Sequence, residues 1–438
     1  MAPFMLSSIN VALPAIQADL GGDAILLGWI ATSYLLATAI VLVPVGKFAD
    51  IYGRKIVFLC GVIVYTLGSL LSILVENISW LLTMRVIQGV GAAMFITTGM
   101  AILTSVFPPE KRGRVIGILV TSVYVGLATG PFVGGFLTRY FGWRSIFALI
   151  VFLGLLSLYV TLRYLKEEWA DAKEEKFDIS GSLLYAFSIF ILVYGLTRIL
   201  EAEGAVLTLT GSLGLVAFYR QQGKRQYPLL EVNLFRHNHT FLFSSLAALI
   251  HYAATFAVTF QISLFLQYIK GMEPQSAGTV LMIQPVMMAL FSTQAGKLSD
   301  RIEPRIIASI GMALTTLGLL IFAFLSGTTP LWHIVLTMAL LGFGFALFSS
   351  PNMSAIMGSV ERSQYGLASG TVATMRLLGQ MGSMAIATFF LGIYLGREEI
   401  QYHNYPLFQA SMKACFVFFV VLCLVGIGFS LFRGKVRK

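Results

Sequence analysis

The hydrophobic pattern of the chain is a series of long apolar runs separated by short polar segments. Each run continues for roughly 18 to 25 residues, the length that a helix needs to cross a hydrocarbon core of about 30 Å. The pattern therefore predicts an all-α integral membrane protein with fourteen spans. The predicted spans lie near residues 1–18, 26–47, 55–75, 79–104, 114–138, 145–165, 179–200, 204–219, 240–268, 275–297, 305–326, 331–352, 364–395 and 410–432.

Composition agrees with this interpretation. Apolar and aromatic residues make up 57% of the chain and charged residues only 11%, whereas a soluble domain carries about 25% charged residues. The three cysteines, Cys60, Cys415 and Cys423, lie inside apolar runs at spacings that suit no metal site. The sequence thus excludes a water-soluble fold and predicts neither a metal nor a cofactor.

The basic residues predict the orientation of the chain. Twenty-two of the 30 Lys and Arg residues fall on the side that holds both termini, six fall on the other side, and Arg85 and Arg376 lie inside spans. Because cytoplasmic loops are enriched in Lys and Arg, both termini are predicted to be cytoplasmic, in a plasma or bacterial inner membrane. No basic stretch is interleaved with aromatic residues, so the net charge of +10 does not predict a nucleic-acid partner.

The chain contains an internal repeat. The segment Gly46–Lys55 follows the second predicted span, and a related segment, Gly296–Arg305, follows the tenth, 250 residues later. Gly28 and Gly278 keep the same offset. Duplicated halves are typical of secondary transporters. The predicted organisation is a six-helix bundle at 1–165, a linker with two additional spans at 166–239, and a second six-helix bundle with a short basic tail at 240–438.

The first of these segments resembles the G-x-x-x-D-x-x-G-R-K signature of the major facilitator superfamily. The resemblance covers nearly the whole chain and implies a major facilitator fold, two six-helix bundles plus two inserted helices. It also implies a conformational latch that holds neighbouring helices in one state and releases them in the other; a loop that only sets orientation is the alternative. The latch residues are Gly46, Asp50, Gly53, Arg54 and Lys55, with Asp300 and Arg301 in the second copy.

Two further segments carry the resemblance. Arg85 lies in the fourth span, where a charged side chain is costly unless it faces a cavity or binds partners. We predict either a role in substrate or proton handling or a structural tie to backbone carbonyls of the first span. The segment Gly126–Gly135 is similar to the superfamily's antiporter segment, which implies export; spacing alone predicts a close, kinked helix contact. Its key residues are Gly126, Gly130, Pro131, Gly134 and Gly135.

The chain resembles the fourteen-helix drug:proton antiporter family in three features. These are the number of spans, the segment Asn10-Val-Ala-Leu-Pro14 and the segment Arg376-Leu-Leu-Gly379-Gln380. That family commonly has an aspartate in its first helix, and here Met5 stands at that position. No Asp or Glu falls in the middle of a span, which leaves Arg85, Arg376 and His251 as the intramembrane ionisable groups. We therefore predict a cavity suited to anionic or neutral amphipathic substrates.

Several side chains are candidates for a substrate or proton pathway. His251 is a candidate proton carrier, because an imidazole has a reference pKa of about 6.5; a packing role is the alternative. Unsatisfied polar groups are costly inside spans, so the polar residues there either line a cavity or bond to a neighbouring helix. The full set is Asn10, Tyr34, Arg85, Gln88, Tyr124, His251, Gln261, Gln284, Asn352, Arg376 and Gln380.

These observations predict a secondary transporter that exports small amphipathic molecules by alternating access, driven by protons. An importer or facilitator of a small metabolite on the same fold is the alternative. No catalytic triad, metal-ligand set or phosphate loop is present, so an enzyme is not predicted. The expected partners are the lipid bilayer, a small-molecule substrate and H+, and the expected oligomeric state is a monomer. The mixed-charge segment Lys166–Asp178 is predicted to be a solvated linker helix.

Overall fold

The computed structural model describes residues 1–107, 109–170, 172–198, 201–230, 232–361 and 365–434, and over these residues the chain forms helices and no strands. Part of the predicted positive face, Arg362 and the basic tail 435–438, lies outside the described residues. The prediction of an all-helical protein is confirmed for the described part of the chain.

The long helices are labelled α1 to α14 in chain order. Their bounds are Ala2–Leu20, Ala24–Tyr52, Arg54–Ile73, Ile78–Val106, Pro109–Phe141, Arg144–Tyr164, Ile179–Thr197, Ala202–Gln222, His239–Ile269, Pro274–Ser299, Pro304–Ala323, Leu331–Gly358, Tyr365–Leu395 and Tyr405–Phe432. A short helix, Val232–His237, precedes α9. Each predicted span overlaps one of these helices.

Twelve helices in the described part of the chain are long and apolar enough to cross a membrane. The two long helices outside this set are α1 and α5. The first contains the polar residues Asn10 and Gln17 together with Pro14, which lower its mean hydropathy. Twelve predicted spans are therefore candidate membrane spans by length and composition, and the total of fourteen stays a prediction.

Local sequence explains where several helices begin. The side chain of Asn77 accepts a hydrogen bond from the Trp80 amide at 2.9 Å at the start of α4, and Asn238 does the same for the Phe241 amide at the start of α9. Both are N-caps that satisfy an amide left free at the helix end. A proline lies in the first turn of α10, α11 and α14, where its missing N–H is not needed.

The described chain forms two compact units. The first contains residues 1–2, 29–122 and 144–233, and the second contains residues 3–28, 123–143 and 234–438. The second unit therefore includes α1, the second half of α5 and all of α9 to α14. The division predicted from the repeat, at residues 165 and 239, stays a prediction.

The repeat is visible in the packing of its signature glycines. A Cβ atom at Gly46 of α2 would lie 3.0 Å from Thr97 Cγ2 of α4, and a Cβ atom at Gly296 of α10 would lie 2.9 Å from Ser350 Oγ of α12. In each copy the second helix thus packs closely on the fourth helix of the same half. A larger residue at either place would require the Thr97 methyl group or the Ser350 hydroxyl group to shift.

The linker after α6 differs from its prediction. Residues 165–170 have no regular structure and residues 172–174 form a turn, so the expected helix is absent from the described part of this segment. Mixed charge indicated an amphipathic helix, but several of these charges and backbone groups instead bind the end of α2 and the start of α3.

Candidate functional site

The predicted latch is an ion pair at the junction of α2 and α3. Arg54 donates from Nε and Nη2 to Asp50 Oδ1, at 2.8 and 2.7 Å, and from Nη1 to the Ser105 hydroxyl at the end of α4, at 2.7 Å. The guanidinium therefore links the ends of three helices. Such forked donation is specific to arginine, because a lysine ammonium cannot reach two acceptors in fixed directions.

The linker after α6 binds the latch through Glu168. Its carboxylate accepts hydrogen bonds from the amides of Lys55 and Ile56, at 2.8 and 3.1 Å, in the first turn of α3. Gly53 has a φ of 126°, and a Cβ atom there would lie 2.8 Å from the Glu168 carboxyl carbon. Gly53 thus has two reasons to be glycine, its backbone conformation and the approach of an acidic cap.

Backbone contacts complete this attachment. The Arg54 amide donates to the Trp169 carbonyl at 2.8 Å, and the Ala172 amide donates to the Asp50 carbonyl at 3.0 Å. Lys47 forms an ion pair with Glu175. We call residues 165–178 the strap, because they bind both sides of the signature segment.

Glu168→Ala is expected to loosen the start of α3 without unfolding the protein. The loss of a helix cap costs about 0.5–2 kcal/mol, which predicts amide exchange roughly 2- to 30-fold faster at Lys55 and Ile56. Hydrogen–deuterium exchange with mass spectrometry measures this effect. Glu167→Ala is the matched control, because Glu167 makes none of these contacts, and equal exchange in both variants would contradict the cap assignment.

The second copy of the signature differs from the first. Asp300 ends α10 and Arg301 follows it, and both side chains are exposed. The position that corresponds to Gly53 is Glu303, followed by Pro304 in the first turn of α11. In the first half, the acidic group at the start of α3 therefore comes from a distant segment of the chain. In the second half, an acidic residue directly precedes α11.

Arg85 lies in a buried cluster of the first unit. Its side chain is fully buried, donates from Nε to the Ile30 carbonyl of α2 at 3.0 Å, and donates from Nη1 to Gln88 Oε1 at 2.7 Å. Gln88 donates to the Ser69 hydroxyl of α3 at 2.9 Å. The guanidinium carbon stands 4.5 Å from the centre of the Tyr34 ring, a cation–π contact. The backbone tie is therefore to α2, not to the first span as expected, and Nη2 has no acceptor among the described residues.

The predicted antiporter segment packs on α1 inside the second unit. The Ser8 hydroxyl of α1 donates to the Gly130 carbonyl at 2.9 Å. A Cβ atom at Gly130 would lie 2.8 Å from the Phe4 carbonyl oxygen, and one at Gly134 would lie 2.7 Å from Ser8 Cβ. Gly126 also faces Phe4, with its would-be Cβ 3.3 Å from the Phe4 nitrogen. The glycine series thus lies in close contact with α1.

The same segment also contacts the start of α10. A Cβ atom at Gly135 would lie 2.9 Å from Gln275 Cα, and one at Gly278 would lie 2.8 Å from the Pro131 carbonyl carbon. Arg139 forms an ion pair with Glu273 beside this contact. Backbone therefore meets backbone where α5 and α10 cross.

The repeat partner of Gly278 makes an equivalent contact. A Cβ atom at Gly28 of α2 would lie 3.1 Å from Thr388 Cβ of α13. The second helix of each half thus meets the fifth helix of the other half at a glycine. We call these contacts, Gly28 against Thr388 and Gly278 against Pro131, the two glycine crossings.

A second polar cluster forms around Tyr252, which sequence reasoning did not select. Tyr252 and Ser349 of α12 line one small pocket, and Arg376 of α13 and Tyr124 of α5 are close enough to Tyr252 to interact with it electrostatically. Four helices of the second unit thereby bring polar groups together. Two of the four residues, Tyr124 and Arg376, were predicted as pathway residues. Tyr252 was not, because a tyrosine in an apolar run cannot be distinguished by sequence from a packing residue.

The remaining candidates are buried in separate places. His251 is fully buried, with its ring centre 4.1 Å from that of Phe348, and neither ring nitrogen has a hydrogen-bond partner among the described residues. Asn10 and Gln261 are buried, and Asn10 Oδ1 and both amide atoms of Gln261 have no hydrogen-bond partner in the part of the chain that the structure describes. Gln284 Oε1 accepts a hydrogen bond from the Thr259 hydroxyl at 3.4 Å. Gln380 lies one turn beyond Arg376 and is partly exposed.

Asn352 binds a buried arginine, Arg433, which directly follows the last predicted span. Its Oδ1 accepts a bond from Arg433 Nη1 at 2.7 Å, and its Nδ2 donates to the Ser244 carbonyl at 3.1 Å. Arg433 is only 1% exposed at the end of α14. Burial lowers the pKa of Arg433 to about 10, although the nearby Glu303 acts in the opposite direction. Asn352 is thus engaged in a structural tie between α9, α12 and α14.

Comparisons with known proteins agree on one family. The model of the Major Facilitator Superfamily matches residues 1–381 and 244–438. The riboflavin transporter RibZ of Clostridioides difficile is 27% identical over 97% of this chain and 93% of its own length. The multidrug resistance protein Stp of Mycobacterium tuberculosis is 31% identical over 88% of this chain and 73% of its own length. Among solved structures, the nucleoside transporter NupG superposes with a TM-score of 0.67 over 98% of this chain and 97% of its own, at 14% identity.

Proposed function

The chain belongs to the major facilitator superfamily and is a membrane transporter, not an enzyme, and from that premise we propose that it exports small amphipathic molecules by proton-coupled antiport. The observation that carries the proposal is the packing of the segment Gly126–Gly135, backbone against backbone, on α1 and α10. Relatives named for multidrug and methyl viologen resistance support the substrate class.

Alternating access follows from the crossings and the latch. In the predicted orientation, with both termini cytoplasmic in a plasma membrane, the end of α5 and the start of α10 lie on the outer side. The glycine crossings then close that side, and the Asp50–Arg54 latch with its strap governs the cytoplasmic side. One bundle of six helices moves relative to the other in each cycle. Helices α7 and α8 bring the number of spans to fourteen, and the transporter acts as a monomer.

Two clusters are proposed to serve the pathway. The Tyr252 cluster, with Tyr124 and Arg376, lies near the middle of its helices, where substrates of such transporters bind. The Arg85 cluster is proposed to respond to substrate or proton occupancy through Nη2, the donor that remains unbonded.

His251 is proposed to carry the proton, since no acidic residue lies in the middle of a predicted span. In this conformation its ring is sealed among Phe345, Phe348 and Tyr252. Proton exchange therefore requires this packing to open, which would couple protonation to the conformational change.

Coupling is testable in proteoliposomes with an acidic interior. Antiport is expected to accumulate substrate inside the vesicles as protons leave, whereas symport would drive accumulation on the alkaline side and a facilitator would do neither. Riboflavin, methyl viologen and dansylglycine serve as neutral, cationic and anionic probes, and entrapped pyranine reports the internal pH. Protein-free vesicles and an uncoupler are the controls, and proton release without any probe-dependent change would contradict antiport.

His251→Gln is expected to abolish gradient-driven accumulation while preserving exchange of labelled for unlabelled probe at equal pH. Glutamine keeps a polar side chain of similar length but cannot take up a proton near neutral pH. The measurement is the rate of both processes between pH 5.5 and 8. An unchanged pH profile would remove His251 from the coupling mechanism.

Uptake of a metabolite is the second candidate. It is favoured by the match to a riboflavin transporter that extends over almost the whole of both chains. The same assay separates the two, because uptake by symport reverses the side on which riboflavin accumulates.

A further inference from the structure

A proline lies inside α1, at the end of the segment Asn10-Val-Ala-Leu-Pro14, which has no role in the function proposed above. Pro14 has no backbone N–H, and in a regular helix that N–H would donate to the Asn10 carbonyl, four residues earlier. Asn10 is only 3% exposed. A buried carbonyl without a donor costs free energy, because water cannot replace the missing bond. The Asn10 carbonyl therefore needs a donor from outside α1.

Ser263 of α9 supplies this donor. Its hydroxyl donates to the Asn10 carbonyl at 2.7 Å, and the residue is fully buried. Both helices belong to the second unit. A hydrogen bond that a proline removes from one helix is thus replaced by a side chain of a neighbouring helix.

Gln267, one turn further along α9, strengthens this arrangement. Its amide nitrogen donates to the Val11 carbonyl, the next one along α1, at 3.0 Å, and to the Ser263 hydroxyl oxygen at 3.1 Å. The Ser263 oxygen therefore accepts from Gln267, which leaves the hydroxyl proton for the Asn10 carbonyl. Two consecutive carbonyls of α1 are bonded to α9 in this way.

A π turn extends the contact towards the end of α1. Consecutive residues of an α-helix are about 100° apart around its axis, so Gln267 and Tyr268 would point in different directions in a regular helix. Residues Phe265–Ile269 instead form a π turn, which holds one more residue than an α turn. Both side chains contact α1, since Tyr268 donates to Gln17 Oε1.

We propose that Ser263 is a positioning residue of the transporter: its hydroxyl replaces the amide donor that Pro14 lacks and, with Gln267 and Tyr268, holds a bent α1 on α9. The tie lets α1 bend at Pro14 without leaving a buried carbonyl unbonded. Because α1 also packs on the glycine series of α5, the path of α1 determines that contact as well. This role goes beyond export, since it applies to any substrate and to either direction of transport.

A double-variant cycle tests whether one donor replaces the other. Ser263→Ala is expected to raise the equilibrium constant for unfolding roughly 5- to 150-fold, because a buried carbonyl loses its donor. In Pro14→Ala the amide of residue 14 donates to the Asn10 carbonyl, so Ser263→Ala in this background is expected to change the constant less than about threefold. Titration with SDS in mixed micelles measures all four proteins.

Ser72→Ala is the matched control. Ser72 of α3 is also fully buried, and its hydroxyl donates to the Gly68 carbonyl at 2.7 Å. That carbonyl lies inside a helix without proline and keeps its amide donor, so a change below about threefold is expected.

A second pair of variants serves if Pro14→Ala fails to fold. The side chains introduced by Ser263→Thr and Ser263→Val have the same shape, and only the first has a hydroxyl group. The threonine variant is expected to have the lower unfolding constant, again by roughly 5- to 150-fold. Equal constants would contradict a role for the hydroxyl.

Transport distinguishes positioning from stability alone. The double variant Pro14→Ala/Ser263→Ala keeps the Asn10 carbonyl bonded but lacks both the bend and the tie. Its flux per folded molecule, for a probe that the wild-type protein transports, is therefore expected to fall roughly fivefold or more. Wild-type flux in this variant would overturn the positioning role.

The stability measurements decide the tie itself. An equal cost of Ser263→Ala in both backgrounds, or no cost in the wild-type background, would overturn the replacement of the Pro14 donor. These measurements need no substrate, so their outcome is distinguishable from failure of the proposed antiport.

Discussion

Gly278→Ala is expected to lower the transport rate roughly 5- to 150-fold, because overpacking a close helix contact costs about 1–3 kcal/mol. The added Cβ would lie 2.8 Å from the Pro131 carbonyl carbon and closer still to its oxygen. Both groups belong to helix backbone, so a side-chain rotation cannot relieve the clash. If this crossing forms and separates in each cycle, the variant cannot complete the cycle.

Gly382→Ala is the matched control for this prediction. Gly382 also lies inside a helix, α13, but no described atom outside its own helix backbone lies within 4 Å of its would-be Cβ. Alanine has a better helix propensity than glycine by about 1 kcal/mol, so this control is expected to be neutral or slightly stabilising. Flux in proteoliposomes gives the rate for both variants.

Cysteine labelling tests whether the crossing itself is affected. Gln275→Cys, in a Cys60→Ser background, places a thiol beside Gly135, where α5 meets α10. Gly278→Ala is expected to speed maleimide labelling of this thiol, because the contact that shields it is weakened. Normal flux and unchanged labelling in Gly278→Ala would show that the crossing is a static contact.

The sequence predicted the helices closely because an apolar run long enough to cross a membrane has few alternatives. The bounds were less certain where polar residues continue a helix. The twelfth span, predicted at 331–352, extends to Gly358 through Pro351 and Asn352. The strap was mispredicted for a related reason, since its charges bind backbone amides 112 and 113 residues away along the chain.

The candidate site was only partly predictable. Asp50, Arg54 and Arg85 were selected as candidates because charges at motif or membrane positions are unusual. Arg433 was missed, because a basic residue directly after the last span looks like part of a solvated tail, and only tertiary contacts reveal its burial. Whether a polar residue lines a cavity or bonds to a neighbouring helix depends on contacts between distant segments, which residue patterns do not encode.

Arg85→Lys is expected to lower the free energy of unfolding by about 2–5 kcal/mol. The guanidinium satisfies the Ile30 carbonyl and Gln88 Oε1 in two fixed directions and also covers the Tyr34 ring. A lysine ammonium keeps the charge but cannot make all three contacts, so at least one buried acceptor loses its partner. Titration with SDS in mixed micelles, followed by tryptophan fluorescence, measures the difference.

Arg144→Lys is the control that separates the effect of burial on stability from the effect of exchanging arginine for lysine. Arg144 also donates to two carbonyls, of Ile73 and Val75, but it lies at the start of α6 and is partly exposed. Water can replace its lost hydrogen bonds, so a change below about 1 kcal/mol is expected. Equal losses in the two variants would mean that burial of Arg85 adds nothing to its contribution.

The same variant discriminates between the two hypotheses for Arg85. A residue that only ties α4 to α2 should leave transport per folded molecule unchanged once the destabilised fraction is removed. A residue that responds to occupancy through Nη2 should alter the dependence of flux on pH or substrate even in the folded fraction.

Tyr34→Phe keeps the aromatic face over the guanidinium, so it is expected to preserve both stability and flux, whereas Tyr34→Leu should weaken the cluster by about 0.5–2 kcal/mol. Both variants disturb the contact between the Arg85 side chain and the Tyr34 ring. A change of flux that occurs in Arg85→Lys but not in Tyr34→Leu would therefore come from the direction of the hydrogen-bond donors.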